Sequence, residues 1–180
     1  MSNTTLFRAG KEGTWTIERL EVVTGAPLEP AARLSVVEER ELDARGAIWT
    51  LRGTPSYERY VRSAEQAELK SRSPQLGRPE ATRAALIPIR KSETWWTLAH
   101  DERREIFEDR SNHIATGLRY LPAVARRLYH ARDLGGPFDF LTWFEYAPGD
   151  AGAFEELVDR LRSTEEWKYV DREVDVRLAR

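Results

Sequence analysis

In the second half of the chain the apolar positions change period repeatedly, and each change predicts an element. Residues 81–90 carry the run Ala84-Ala85-Leu86-Ile87-Pro88-Ile89, apolar on both faces, which predicts a buried strand with Pro88 at an edge or bulge. The charged amphipathic run 101–112 predicts a helix that continues through His113, with Ile106 on the histidine's azimuth and Phe107 beside it. Pro122 cannot continue that helix and pushes its predecessor toward extended backbone, so residues 123–131 predict the next strand. The turn Asp133-Leu134-Gly135-Gly136-Pro137 joins it to a strand over 138–146 in a hairpin. Phe154, Leu157, Val158 and Leu161 recur at helical spacing after Pro148-Gly149-Asp150, and alternation over 173–178 predicts a last strand. The order strand, helix, strand, strand, helix, strand is the split arrangement of a ferredoxin-like α+β domain, whose helices lie on one face of the sheet. The other face needs a cover: a sheet from the first half, a partner subunit or a cofactor.

The first half is plainer. Residues 14–23 mix alternation with β-branched side chains and predict a strand ended by Thr24-Gly25. Pro30, followed by Leu34, Val37 and Leu42, predicts a helix stopped by Arg45-Gly46. A second strand is expected over 47–51, a helix rich in Glu, Ala, Lys and Arg over 57–71, and a loop over 73–79. Two halves are expected, 1–79 as scaffold and 80–180 as the carrier of chemistry.

Composition narrows the chemistry. The 180 residues include no cysteine, which removes disulfides, thiolate catalysis, iron–sulfur clusters and covalent c-type haem. The three histidines, His100, His113 and His130, form no paired metal motif. A net charge of −2 with both signs interspersed leaves no footprint for nucleic acid or an anionic membrane, so neither is expected as a partner. No apolar run approaches a membrane span and the first residues lack a secretory core, so a cytoplasmic protein is expected. Six tryptophans are many for this length, and aromatics that usually pack cores also wall large planar cofactors.

The stretch 111–126 concentrates what chemistry remains. His113 faces something apolar, and Gly117, one turn on, costs a helix roughly 1 kcal/mol and so predicts close approach of another body, such as a flat ligand. A neutral imidazole at His113 then suits a metal centre, haem iron above all, while Arg126 on the following strand offers a guanidinium to an anion. Set against this, a histidine on an apolar helix face also serves as a hydrogen-bonded core residue, and a strand arginine as a solvated one.

Several segments in order resemble the chlorite dismutase family, and specifically its short-chain, dimeric branch. They are Leu86-Ile87-Pro88-Ile89-Arg90-Lys91-Ser92 with Trp95-Trp96, Ser111-Asn112-His113, Ala125-Arg126-Arg127-Leu128-Tyr129-His130, 138–145 and Glu166-Trp167. The resemblance implies a dimeric α+β barrel of ferredoxin-like repeats with the N-terminal half reduced, and non-covalent haem b (iron protoporphyrin IX) in the C-terminal half. It implies His113 as the proximal iron ligand and Glu166 as the acceptor of a hydrogen bond from its other ring nitrogen, which strengthens the imidazole as a donor. It further implies cofactor contacts from Lys91 to a propionate, from Trp95 and Trp96 near the ring edge, and from Ile87, Gly117 and Tyr60. Tyr57 departs from an asparagine in the family pattern. The implied reaction turns chlorite into chloride and dioxygen through a ferryl centre and transient hypochlorite. The resemblance implies Arg126, chosen over Arg127 by the family register, as the catalytic residue on the distal side, with Gln75 as its neighbour, while Arg127 is expected to point the other way by strand alternation. A homodimer is implied. The alternatives are another haem protein of this fold: a coproporphyrin haem decarboxylase, a weak peroxidase or a non-catalytic haem binder.

Overall fold

The computed structural model describes residues 4–39, 46–55 and 62–180. Eight strands close into one antiparallel barrel: β1 (Thr5–Gly10), β2 (Trp15–Thr24), β3 (Arg33–Glu38), β4 (Ala47–Pro55), β5 (Arg83–Lys91), β6 (Val124–His130), β7 (Phe140–Tyr146) and β8 (Val170–Ala179). Around the barrel the order is β1-β3-β2-β8-β5-β7-β6-β4, so each half lays its four strands down in the same order, fourth, first, third, second. The helices are α1 (Ser63–Arg72), α2 (Glu93–Thr97), α3 (His100–Arg104), α4 (His113–Arg119) and α5 (Ala151–Arg162).

Strand alternation divides the apolar residues between two cores. Leu86, Trp143, Tyr129, Val174, Val176 and Leu178 point into the barrel, where they meet Phe7, Trp15, Leu34 and Leu51 from the first half. The outward rows of β5 and β7, with Ala85, Ile87, Ile89, Phe144 and Tyr146, pack against Phe154, Leu157, Val158 and Leu161, the apolar stripe of α5. The sheet from the first half therefore covers one face of the second half's sheet, and α5 covers part of the other.

Three expectations are corrected. The helix predicted after Pro30 is strand β3: Leu34 and Val36 alternate into the barrel, and the pairing of β3 with β1 overrides a weak helical stripe whose last part lies outside the described residues. β1, missed altogether, is a short segment in which Phe7 and Ala9 face the core. The helix predicted from 101 through His113 is interrupted. It runs as α3, then a π-helical stretch Glu105–Arg110, then a break at Asn112 with φ of 50°, before α4 begins at His113. The π stretch and the break reset the helical phase, so azimuths counted from Ile106 do not carry across.

Candidate functional site

A cavity of about 720 Å3 lies on the outer face of the second half's sheet, within the roughly 300–1,000 Å3 of pockets that enclose small-molecule ligands. Its floor is apolar, with Ile87 and Ile89 from β5, Leu128 from β6 and Phe140 and Phe144 from β7. Thr142 is the one polar side chain among the β7 positions that line it. One wall is α1, whose Ser63, Gln66, Ala67 and Lys70 recur at helical spacing, so this helix turns a mostly polar face to the cavity. It is tied to the adjoining helix by Arg104, which donates to both oxygens of Glu65 at 2.9 and 3.1 Å.

The opposite wall carries the histidine. His113 is the first residue of α4, and its Nδ1 lies 2.7 Å from Glu166 Oε2. Glu166 Oε1 accepts a second hydrogen bond from Lys91 Nζ, also at 2.7 Å. The Lys91 and Glu166 side chains are 3% and 4% exposed, so the pair is desolvated and each charge needs the other. Burial alone pushes the Glu166 carboxyl up, but the Lys91 ammonium and the His113 imidazole outweigh it and bring the pKa down to about 2. An ionised carboxylate can only accept, so His113 Nδ1 is the donor, and in the neutral imidazole that leaves the lone pair on Nε2. The imidazole is also held by rings: Phe107 stacks on it at 4.4 Å between centroids, and Trp167 lies nearly parallel at 6.4 Å.

Of the residues expected at the site, His113, Glu166, Lys91, Trp95, Ile87 and Arg126 all border this one cavity. They come from β5, α2, α4, β6 and the turn Glu166–Tyr169, and the barrel's strand pairing brings them together. Four expectations change. Lys91 points its ammonium at Glu166 and lies 4.4 Å over the Trp95 ring, so it belongs to the histidine's support and not to a propionate contact. Trp96 does not line the cavity; it stacks on Phe140, donates to Asp139 Oδ2 at 3.3 Å and lies 3.8 Å from the Arg132 guanidinium in a separate surface pocket. The body close to Gly117 is the Arg126 side chain, since a Cβ there would sit 3.0 Å from Arg126 Nη1. Gln75 is exposed and off the cavity, whereas Ser73 borders it. Arg127 also reaches the cavity boundary, though its side chain hydrogen-bonds Tyr129 on the other row of β6. Tyr60 and Tyr57 lie outside the described residues.

An uninterrupted helix puts Ile106 on the histidine's azimuth with Phe107 only beside it, so the stacking of Phe107 on the ring was not expected. Ser111, whose Oγ accepts the Glu166 backbone N–H at 2.9 Å, was visible only as part of a motif. Among the described residues no three His, Asp or Glu side chains converge to hold a bare metal ion, so a metal at His113 must bring its other ligands with it. Iron in a porphyrin does so, and a single axial imidazole over an apolar slot fits that group.

The model of the chlorite dismutase family matches residues 32–180, and the chain belongs to that family. It is similar to the dimeric chlorite dismutase of Nitrobacter winogradskyi, with 56% identity, 98% of this chain and 99% of that one covered, and a TM-score of 0.90. A chlorite dismutase of Ideonella dechloratans is 37% identical over 86 residues, 48% of this chain and 28% of the relative's length. The chlorite dismutase of Candidatus Nitrospira defluvii in complex with imidazole shares the fold at a TM-score of 0.69 and 18% identity, covering 99% of this chain and 92% of that one.

Proposed function

We propose that this chain binds haem b without a covalent link, through His113, and decomposes chlorite to chloride and dioxygen. The observation that carries the reading is the buried array Lys91–Glu166–His113, which turns the lone pair of Nε2 outward from an anionic partner, inside a family whose relatives bear the name of this activity. Glu166 makes the imidazole a stronger donor and thereby favours higher oxidation states of a bound iron. Haem, when bound, supplies the redox chemistry that exchanges two Cl–O bonds for one O–O bond.

Every other part belongs to the chain. Ile87, Ile89, Leu128, Phe140 and Phe144 exclude water from the floor, and Trp95 and Trp167 close the flank beside Lys91. Arg126 presents a planar, forked cationic donor, so it holds chlorite and retains a chlorine oxyanion. The repeated strand order supports two ferredoxin-like units, the first with no helix between β1 and β2, and the resemblance to a dimeric relative supports a homodimer, which light scattering on purified protein tests.

The deciding experiment adds haemin to purified protein, records the Soret band, and follows oxygen with an electrode after chlorite is added. The reading requires a Soret band that His113→Ala abolishes or shifts, and stoichiometric oxygen. A Soret band without oxygen leaves a haem protein of another activity; no band refutes the cofactor.

A further inference from the structure

We infer that Glu108 is a positioning residue: its carboxylate caps α4 and thereby fixes His113 against Glu166. The break at Asn112 leaves the first N–H groups of α4 without acceptors in the preceding turn, as at any helix start. Asn112 occupies the usual capping position, yet its side chain makes no capping bond. Glu108, four residues earlier and inside the π stretch, takes over that task. Its Oε2 accepts the Ile114 N–H at 2.6 Å and its Oε1 accepts the Ala115 N–H at 3.2 Å. Its own carbonyl accepts the Asn112 N–H at 2.9 Å, so one residue holds the backbone on both sides of His113.

Glu108 is nearly buried, at 9% exposure for the whole residue, a position a charged side chain keeps only when it is well bonded. The π stretch explains how it gets there, since an extra residue in the turn swings the 108 side chain under the next helix and brings Phe107 onto the imidazole. The consequence is rotational. His113 Nδ1 meets Glu166 at 2.7 Å only while the start of α4 keeps its orientation, and Glu166 is itself pinned by Ser111 from the same loop. A carboxylate at 108 thus sets the direction of the ring without touching it.

The test has one arm that needs no haem. In apoprotein labelled at histidine, the His113 Nδ1–H bonded to a carboxylate gives a protected downfield proton resonance, assigned by its loss in Glu166→Gln. In Glu108→Ala and Glu108→Gln that resonance broadens or disappears, while far-UV circular dichroism shows the fold intact. Glu108→Asp, which keeps the charge but is one methylene shorter, restores part of it. The second arm rests on the proposed function: after haem loading, the Fe–His stretching band shifts in both variants and haem loss to a scavenger accelerates about tenfold, the equivalent of one hydrogen bond. If Glu108→Ala does not fold, the Gln and Asp variants carry the test. An unchanged proton resonance in Glu108→Gln overturns the inference. Failure of the parent protein to take up haem overturns the proposed function and leaves the first arm standing.

Discussion

Replacing Glu166 by glutamine tests the array at its centre. Two donors, Lys91 Nζ and His113 Nδ1, converge on its two oxygens at 2.7 Å each, and glutamine offers one oxygen where two are needed. The greater loss is the charge. Lys91 stays 3% exposed beneath Trp95 with no anion against it, and breaking a buried pair in this way costs about 3–5 kcal/mol. The drop of the Glu166 pKa from 4.5 to about 2 leads to a similar figure, about 3 kcal/mol at 1.36 kcal/mol per unit. For a chain of this length that is a fall in Tm on the order of 10 °C, read in apoprotein by urea and thermal unfolding. Adding Lys91→Met removes the stranded ammonium, and the double variant recovers at least half of the loss. A Glu166→Gln protein within 1 kcal/mol of the parent, or a double variant no more stable than the single one, refutes the claim that the pair is a desolvated unit.

Arg126→Ala lowers kcat/KM for chlorite about 100-fold and hastens bleaching of the haem during turnover, both read in a stopped-flow spectrometer; unchanged kinetics exclude Arg126 from the reaction. Gly117→Ala separates stability from activity. It gains up to about 1 kcal/mol of helix propensity, while its methyl group, 3.0 Å from Arg126 Nη1, pushes the guanidinium aside, so Tm rises as kcat/KM falls severalfold. Asp175 is buried beside Arg162 and Arg177: burial pushes its carboxyl up, but the hydrogen bonds and charges of the two arginines hold it below the usual range. Its stabilising effect is therefore complete above the ordinary aspartate value of 3.8 and is lost as pH falls beneath it, so the gap in stability between the parent and Asp175→Asn narrows on acidification, followed by circular dichroism.

The second half of the fold was legible because its elements satisfy one period each. β5, β6, β7 and α5 bury the faces that alternation and helical spacing assign to them, with Ile87 and Ile89 outward, Leu86 inward, and Phe154 and Leu161 against the sheet. In the first half β2, β4 and α1 were legible in the same way, but β3 was not, since Leu34 and Val37 fit a helical stripe as well as a strand and only the β1 pairing decides between them. The barrel was expected from the family resemblance alone, because no local pattern says that β4 will meet β6 across a separation of about 75 residues.

The site divides along the same line. Single residues on single elements could be marked, His113 on α4 from its type and setting and Arg126 on β6 from the register of the family resemblance, and their shared cavity follows from the hairpin and the helix before it. What spacing could not supply is which partners satisfy them. Lys91 stands 75 residues from Glu166, and nothing near it in the chain separates a lysine that reaches a cofactor from one that neutralises a buried acid. Desolvation makes that distinction. At 3% exposure the ammonium must have an anion against it, and Glu166 is the anion that β5 and the Glu166–Tyr169 turn place there. The same reasoning reassigns Gly117. A missing side chain on a helix face signals that something approaches, and the chain itself supplies a visitor: the guanidinium on the next element, β6, whose resting place depends on the absence of a methyl group.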